Sequence, residues 1–292
     1  MTLTRLASGL VAAATALALA ACGAPETTPG GGSAAVTTGG SAAACDKASL
    51  TLHTAGKLTV GTDKPAYPPW FADDTPTNGK GYESAVAYAA AAKLGFAKAD
   101  VTWVTVPFNN VVTPGEKSFD VALNQVSISD ARKKAVDFSS GYYDVRQAVV
   151  TTKGSPLAGK TNVSDLASAK LAAQVGTTSY TAITDQIKPT QAPAPYDTND
   201  LAVQALKNGQ IDGIVVDLPT AFYMTSAQLD NGVIVGQLPQ SGATPEQFGM
   251  VLDKGSALTS CVSKAVDALR ADGTLASLAA EYLAGAGAPE LK

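Results

Sequence analysis

The residues best able to do chemistry in this sequence lie in one polar segment, Leu123 to Arg132 (LNQVSISDAR). The segment follows an apolar run that opens at Phe119, and this run predicts a buried strand. In open α/β sheets, ligands bind outside the carboxyl ends of the strands. Arg132 comes just after Ser129, the predicted N-cap of a following helix. A guanidinium there can hold both oxygens of a carboxylate, so the spacing suits a ligand that carries one.

Three further residues of the segment offer hydrogen-bonding groups beside Arg132, namely Asn124, Gln125 and Ser127. A second interpretation remains open on spacing alone. Arg132, Lys133 and Lys134 form a basic run, and charge runs usually face water.

The elements that must position this segment follow a β-α-β-α-β pattern, which predicts a mostly parallel sheet. Strands are predicted at Lys57–Thr62, Val101–Val106 and Phe119–Leu123, with a helix from Tyr82 to about Leu94. The stretch from Lys64 to Trp70 (KPAYPPW) is a proline-restrained loop that displays two aromatic residues.

A second α/β series begins after the break at Lys153–Pro156. Its strands at Lys170–Val175 and Ile211–Val216 also end in polar residues, and Asp217 follows the latter. Two similar lobes with these strand ends facing each other would form a cleft. Asp217 can also cap the helix that begins near Pro219, and one side chain could do both.

The first residues predict a lipoprotein signal peptide over 1–21. Arg5 supplies a positive charge, and Leu10–Ala20 is apolar but short for a transmembrane helix. The motif Leu19-Ala20-Ala21-Cys22 resembles the bacterial lipobox, in which the cysteine is lipidated, with palmitate among its acyl chains. The alternative is an ordinary signal peptide that leaves Cys22 removed or free. Residues 22–44 are rich in Gly, Ser, Thr, Ala and Pro, and this composition predicts a flexible tether.

Cysteine usage agrees with export, because Cys45 and Cys261 remain as an even pair. We predict a disulfide that joins the N-terminal edge of the folded part to a C-terminal helix; two unpaired buried thiols are the alternative. The single histidine, His53, suits a turn, and no cluster has metal-ligand spacing. The net charge of −4 without a basic cluster argues against nucleic-acid binding. No cofactor is expected.

Several segments taken together resemble the extracytoplasmic solute-binding proteins of ABC importers, of the polar amino acid (family 3) type. The matching segments, which run from about Lys57 to Leu283, are VGTDKPAYPPW, GYESAVAYAAAAKLG, FDVALNQVSISDARKKAVDFSSGYY, LAAQVGTTSY, ALKNGQIDGIVVDLPTA and DALRADGTLASLAAEYL. The resemblance implies a two-lobed periplasmic-binding-protein-like α/β fold with two hinge crossings, near Gln147–Thr152 and Gly242–Gln247. It implies that residues 45–147 and 245–292 form lobe 1 and residues 148–244 form lobe 2. The tail from Gly285 to Lys292 is expected to be frayed.

The resemblance also implies a binding site for an amino acid. Arg132 would clamp the carboxylate, assisted by Ser127 and by Thr178 in the Gly-Thr-Thr loop that includes Thr177. Asp217 and the backbone carbonyl of Gln125 would hold the α-ammonium. The side-chain pocket would be formed by Tyr67, Trp70, Phe108 and Asn124, with Asp63 and Gln174 as specificity residues.

Three departures from the family pattern bear on the ligand. Gln174 occupies a position that is Lys in some members and apolar in others. Ala85 stands where the first helix often carries a second acidic residue, so Glu83 is its only acid. Val216 precedes Asp217, where some glutamine binders have a histidine. The sequence therefore predicts a polar amino acid as ligand without selecting one.

The expected function is that of a monomeric binding component, tethered by lipid to the outer face of the cytoplasmic membrane, that delivers its ligand to the membrane subunits of an ABC importer. One alternative is a sensor lipoprotein that signals to a membrane receptor kinase. The other is an enzyme on this fold, a dehydratase or lytic transglycosylase, for which Glu83 and Asp63 are the nearby acids.

Overall fold

The computed structural model describes residues 45–283 and 287–292. The predicted lipobox at Cys22 and the predicted tether lie outside these residues. No helix in the described ranges is both long enough and apolar enough to span a membrane.

Ten strands form two five-stranded sheets. The strands are β1 (Leu58–Thr62), β2 (Val101–Thr105), β3 (Val121–Ala122), β4 (Val136–Val145), β5 (Gln147–Thr152), β6 (Leu171–Gln174), β7 (Ala194–Tyr196), β8 (Gly213–Asp217), β9 (Gly232–Gln237) and β10 (Glu246–Asp253). The α-helices are α1 (Tyr82–Lys93), α2 (Phe108–Val112), α3 (Thr178–Ala182), α4 (Asn199–Lys207), α5 (Leu218–Tyr223), α6 (Thr259–Ala271) and α7 (Thr274–Tyr282). Single π-helical turns extend α3 to Ile187 and α5 to Gln228.

The first sheet has the order β2-β1-β3-β10-β4 and belongs to lobe 1. Strands β1, β2 and β3 are parallel, while β10 runs antiparallel to β3 and β4. Successive side chains of a strand point to opposite faces, so Val121 and Ala122 enter two separate apolar clusters. Helices α1, α6 and α7 pack together over one face, where small residues such as Ala87 and Ala91 allow close approach.

The second sheet has the order β7-β6-β8-β5-β9 and belongs to lobe 2. Strands β6, β7 and β8 are parallel, and β5 pairs antiparallel with β8 and β9. Apolar clusters cover both faces here as well. The two-lobed α/β architecture implied by the resemblance is therefore present.

Between the strands of the two sheets, the chain crosses from one lobe to the other at two places, as the resemblance implied. Arg146 is the single residue between β4 and β5, and residues 238–245 separate β9 from β10. The first crossing thus lies beside the predicted range Gln147–Thr152, whose residues form β5 and are hydrogen-bonded to its neighbours β8 and β9.

The segment that carries Arg132 is less regular than predicted. The strand is limited to Val121–Ala122, and the helix expected after Ser129 is a single 3₁₀ turn over Arg132–Lys134. The chain leaves the sheet after Leu123, and Gln125 has a left-handed φ of 48°. The N-cap of this turn is Ala131 and not Ser129, although the Ser129 hydroxyl accepts a hydrogen bond from the Arg132 N–H at 3.3 Å.

A disulfide joins Cys45 to Cys261, which is buried in α6. This confirms the predicted pairing of the N-terminal edge with a C-terminal helix and rules out two unpaired thiols.

The prediction of a frayed tail is wrong for the described residues 287–292, and so is their assignment to lobe 1. Glu290 forms a parallel bridge with Gln237 at the outer edge of β9, and Leu291 is only 2% exposed within the core of lobe 2. The Lys292 backbone exchanges hydrogen bonds with Thr161 and Val163. Unpaired backbone groups at a sheet edge readily accept an added strand, so the tail is held where composition alone suggested disorder.

Candidate functional site

A cavity lies between the lobes where the carboxyl ends of their parallel strands meet. Its wall consists of Asp63, Pro65, Tyr67, Phe108, Asn124, Gln125, Arg132, Gln174, Thr177, Thr178, Ser179, Asn199, Val216, Asp217 and Thr220. Asp63 follows β1, Gln174 ends β6 and Asp217 ends β8. The wall is mostly polar and includes groups of both charges, which suits a small polar solute.

Arg132 turns into this cavity, whereas its neighbours Lys133 and Lys134 are exposed. Its Nη1 donates to the Ser127 carbonyl at 2.7 Å, and its guanidinium lies 5.5 Å from the centre of the Phe108 ring. Burial lowers the pKa of the guanidinium from its usual value, and the nearby Glu246 and Asp217 oppose this shift. Several N–H donors remain for an anionic group in the cavity.

Asp217 faces Arg132 from the other lobe. Its side chain makes no capping hydrogen bond to α5; instead Oδ1 accepts a hydrogen bond from Gln147 Nε2 at 2.8 Å. Burial and repulsion from Glu246 raise the pKa of this carboxyl well above its usual value, while Gln147 and Arg132 act in the opposite direction. A cation placed beside Asp217 would stabilise its ionised form against both the burial and the repulsion from Glu246.

The lobes touch across the cleft through direct hydrogen bonds, so this is a closed arrangement. Arg132 Nη2 donates to the Gly176 carbonyl at 2.9 Å, and the hydroxyls of Ser127 and Thr178 lie 3.2 Å apart. Gly176 has a φ of +77°, and a Cβ built on it would lie 2.6 Å from Asn109 Oδ1. Glycine is therefore required both by the backbone conformation and by the approach of lobe 1.

Asp63 and Tyr67 form another part of the wall, contributed by lobe 1. Asp63 Oδ2 accepts a hydrogen bond from the Phe108 N–H at 3.0 Å, which fixes the carboxylate at the start of α2. The Tyr67 hydroxyl donates to Asp200 Oδ2 of lobe 2 at 2.6 Å. Burial and this bond to Asp200 raise the pKa of Tyr67, so the phenol stays protonated.

The amide and hydroxyl groups of the wall differ in how far they are already satisfied. Asn124 Nδ2 is buried and makes no hydrogen bond to any described residue, so the cavity wall holds an unused donor. The Thr177 hydroxyl is committed, because it donates to the Gln174 carbonyl at 2.6 Å and caps α3 by accepting from Tyr180 N–H at 3.2 Å.

Two of the residues predicted to bind ligand do not reach the cavity wall. Trp70 is 0% exposed and packs against Tyr82, Tyr143 and Phe248, while its Nε1 donates to the wall residue Thr220 at 3.0 Å. The aromatic core of lobe 1 thus takes up this side chain. Ser127 is 1% exposed and contacts two wall residues, Arg132 through its carbonyl oxygen and Thr178 through its hydroxyl.

Five residues of the wall are not among the predicted ligand-binding residues, namely Pro65, Ser179, Asn199, Val216 and Thr220. Pro65, Ser179 and Val216 adjoin or lie near predicted site residues in the chain. Asn199 is the first residue of α4, and Thr220 lies in the first turn of α5. Both follow a boundary between a strand and a helix, which could have indicated them as wall residues. Among the described residues, no group of three His, Cys, Asp or Glu side chains is arranged to hold a metal ion.

Together, the fold and this cleft define a two-lobed solute-binding protein. Residues 58–285 match the sequence model of one protein family, the bacterial extracellular solute-binding proteins, family 3. The chain belongs to this family.

Individual relatives agree with the assignment. The L-cystine-binding protein TcyJ of Escherichia coli K12 is 28% identical over 229 residues, which cover 78% of this chain and 82% of that protein. The L-arginine-binding protein of Pseudomonas aeruginosa is 26% identical, with 80% and 93% covered. Among solved structures, an ancestral arginine-binding protein bound to arginine has a TM-score of 0.65 at 29% identity, covering 80% of this chain and all of that chain. All three are binding proteins for an amino acid.

Proposed function

We propose that this protein is the binding component of an ABC importer and that its ligand is a polar amino acid with a positively charged side chain. The observation that carries the proposal is the pairing of Arg132 on lobe 1 with Asp217 on lobe 2 at one cavity. Among the relatives, the cystine-binding protein supports an amino acid ligand in general, and the arginine-binding protein supports a cationic side chain.

The zwitterionic part of an amino acid matches the two facing charges. The carboxylate binds Arg132 and the donors of the Thr178 loop, and the α-ammonium binds Asp217. Hydrogen bonds to charged groups contribute about 1.5–3 kcal/mol each, and they strengthen as water leaves a closing cleft. Because the ligand bridges both lobes, it binds the closed form more tightly than the open one and shifts the population towards closure.

The charge left over in the wall argues for a cationic side chain. Once Arg132 and Asp217 are matched to the zwitterion, the carboxylate of Asp63 remains in the same cavity. A side chain such as that of arginine or lysine would neutralise it. A neutral side chain would leave a carboxylate facing the ligand without a counter-charge, which is costly because Asp63 is partly removed from water.

The location follows the family, whose members act outside the cytoplasm. In the proposal, Cys22 carries the lipid, residues 22–44 act as the tether, and the protein works as a monomer. Several acyl chains anchor a protein stably, because each buried CH₂ contributes about 0.8 kcal/mol. Metabolic labelling with a palmitate analogue in the wild type and in Cys22→Ala tests the anchor.

A thermal-shift screen of the twenty L-amino acids, followed by calorimetry, tests the ligand. We expect the largest shifts for L-arginine, L-lysine or L-histidine, and weaker shifts for L-glutamine. A protein that responds best to neutral, acidic or apolar amino acids would contradict a cationic side chain. Uptake of the labelled ligand in a strain lacking the gene, complemented or not, tests the role in import against a role in sensing.

A further inference from the structure

The buried acid of helix α1 has a role that the cavity wall alone does not reveal. Glu83 lies in the first turn of α1 and is 0% exposed. The turn is fastened to the aromatic loop, because Glu83 N–H donates to the Trp70 carbonyl at 3.0 Å. Gly81 allows this approach, since a Cβ there would lie 2.6 Å from the same carbonyl oxygen.

The carboxylate of Glu83 receives hydrogen bonds from two residues. Oε1 accepts from the Gln125 backbone N–H at 2.7 Å and from the Tyr142 hydroxyl, and Oε2 accepts from Gln125 Nε2. The carboxylate therefore engages both kinds of donor that Gln125 has, the peptide N–H and the side-chain amide.

Gln125 faces the cavity in an unusual backbone conformation. Its φ of 48° is left-handed, which few residues other than glycine adopt without local support. Glu83 supplies this support. Neither oxygen of Gln125 accepts a hydrogen bond from another described residue, so both remain available to a donor in the cavity.

We propose that Glu83 is a positioning residue for the ligand's ammonium group. By engaging the peptide N–H and one of the two Nε2 protons of Gln125, it holds this residue in place while both of its oxygens stay available to the ligand. The inference rests on the proposed function, since it assigns a role at the same amino acid site.

The charges around Glu83 add to this geometry. Burial raises the pKa of Glu83 to about 7, although the bonds from Tyr142 and Gln125 act in the opposite direction. The other titratable groups that interact with Glu83 are Tyr82, Tyr142 and Asp217; burial keeps both phenols protonated, and the charge on Glu83 raises the pKa of Asp217. A cationic ligand favours the ionised carboxyl, so affinity should increase as the pH rises through about 7.

The test compares Glu83→Gln with a matched change at Asp120. Asp120 is another buried carboxyl of lobe 1, 4% exposed, that accepts backbone N–H bonds from His53 and Thr59 away from the cavity. In Glu83→Gln, the new NH₂ group lies against an N–H donor of Gln125 in place of an acceptor. One hydrogen bond is lost, and we expect Gln125 to change its orientation in the cavity. Asp120→Asn likewise replaces a buried carboxylate by an amide, but at a position away from the cavity and the ligand.

Calorimetry with L-arginine and with L-glutamine, between pH 6 and pH 8, gives the readout. We expect about ten- to a hundredfold weaker binding for Glu83→Gln with both probes, because both share the α-ammonium. The rise in affinity with pH should be smaller than in the wild type. Asp120→Asn should keep the wild-type affinity and pH profile, and Tyr142→Phe, which leaves both Gln125 bonds in place, should lose less than Glu83→Gln.

The outcomes separate the two proposals. A wild-type protein that binds none of the twenty amino acids would overturn the proposed function, and this inference with it. If the wild type binds and a folded Glu83→Gln variant matches its affinity and pH profile, only the role of Glu83 is overturned. Equal losses in Glu83→Gln and Asp120→Asn would point to a general effect on folding, which also contradicts the inference.

Discussion

Arg132 and Gly176 are joined across the cleft, with Arg132 Nη2 2.9 Å from the carbonyl oxygen of Gly176. Arg132 belongs to the polar segment after β3 in lobe 1, and Gly176 belongs to the loop after β6 in lobe 2. The residue proposed to clamp the ligand therefore also holds the lobes together. Ligand binding and closure share one guanidinium, which explains how a small solute can control the arrangement of two domains.

Replacement of Arg132 by Ala should abolish measurable amino acid binding and leave the fold intact. The side chain is half-buried at a cavity, so its loss removes charged hydrogen bonds and does not open a hole in the core. We expect at least a hundredfold loss of affinity, equivalent to about 3 kcal/mol. Calorimetry measures the loss, and the exposed neighbour in Lys133→Ala is the control. Undiminished affinity in Arg132→Ala would refute the site.

Gly176→Ala should weaken binding by disfavouring the closed form. The added methyl would meet Asn109 Oδ1 at 2.6 Å, and the φ of +77° adds backbone strain. The contact exists only when the lobes meet, whereas the strain acts in every state. The double variant Asn109→Ala/Gly176→Ala should recover part of the affinity. If the double variant binds no better than Gly176→Ala, the steric account is wrong.

Asp63→Asn should change which amino acid is preferred more than it changes overall stability. Removal of this charge should weaken binding of L-arginine about tenfold or more and should affect L-glutamine much less. The ratio of the two affinities is the quantity to measure. Asp217→Asn provides the contrast, because loss of the proposed ammonium partner should weaken both ligands alike. An unchanged ratio in Asp63→Asn would remove this residue from the selection of the ligand.

The stability of the unliganded protein should fall as the pH rises from about 4.5 to about 7. Burial raises the pKa of Glu83 from 4.5 to about 7, so in this window the folded state binds a proton that the unfolded state has lost. The folded state is therefore favoured at the lower pH, by up to about 3 kcal/mol for this group. Asp217 shifts in the same direction. Urea unfolding at several pH values should show that the free energy of unfolding depends less on pH in Glu83→Gln than in the wild type. An identical dependence on pH would contradict the raised pKa of Glu83.

Leu291→Ala should destabilise the protein by about 2–5 kcal/mol, since it removes a nearly buried leucine from the core of lobe 2. The tail is also held by the ion pair of Glu290 with Arg146 at 2.5 Å, so the C-terminal segment reaches the first crossing between the lobes. The half-exposed Glu290 should matter less, and Glu290→Gln is the matched control. Thermal unfolding that is unchanged in Leu291→Ala would show that the tail does not contribute to the folded core.

The sequence determined the parts of this protein that depend on local pattern. Apolar strands that end in polar residues predicted two α/β series. They placed Asn124 and Asp217 directly after strands and Arg132 in the same polar segment as Asn124, while Gln174 came from the family resemblance. Parallel strands bring their carboxyl ends to the same edge, so these residues were expected to converge, and the cavity wall contains all of them. The cysteine count likewise predicted the pair that forms the disulfide.

Only the tertiary structure decided how residues far apart in the chain divide their roles. It placed Trp70 in the aromatic core and not at the cavity, and it joined Glu83 to Gln125, which lies 42 residues away. It also held the tail on lobe 2, where the open edge of β9 accepts Glu290 and the core receives Leu291. The physical reason is the same in each case: side-chain burial and buried hydrogen bonds depend on neighbours brought together by the fold, and local periodicity carries no information about them.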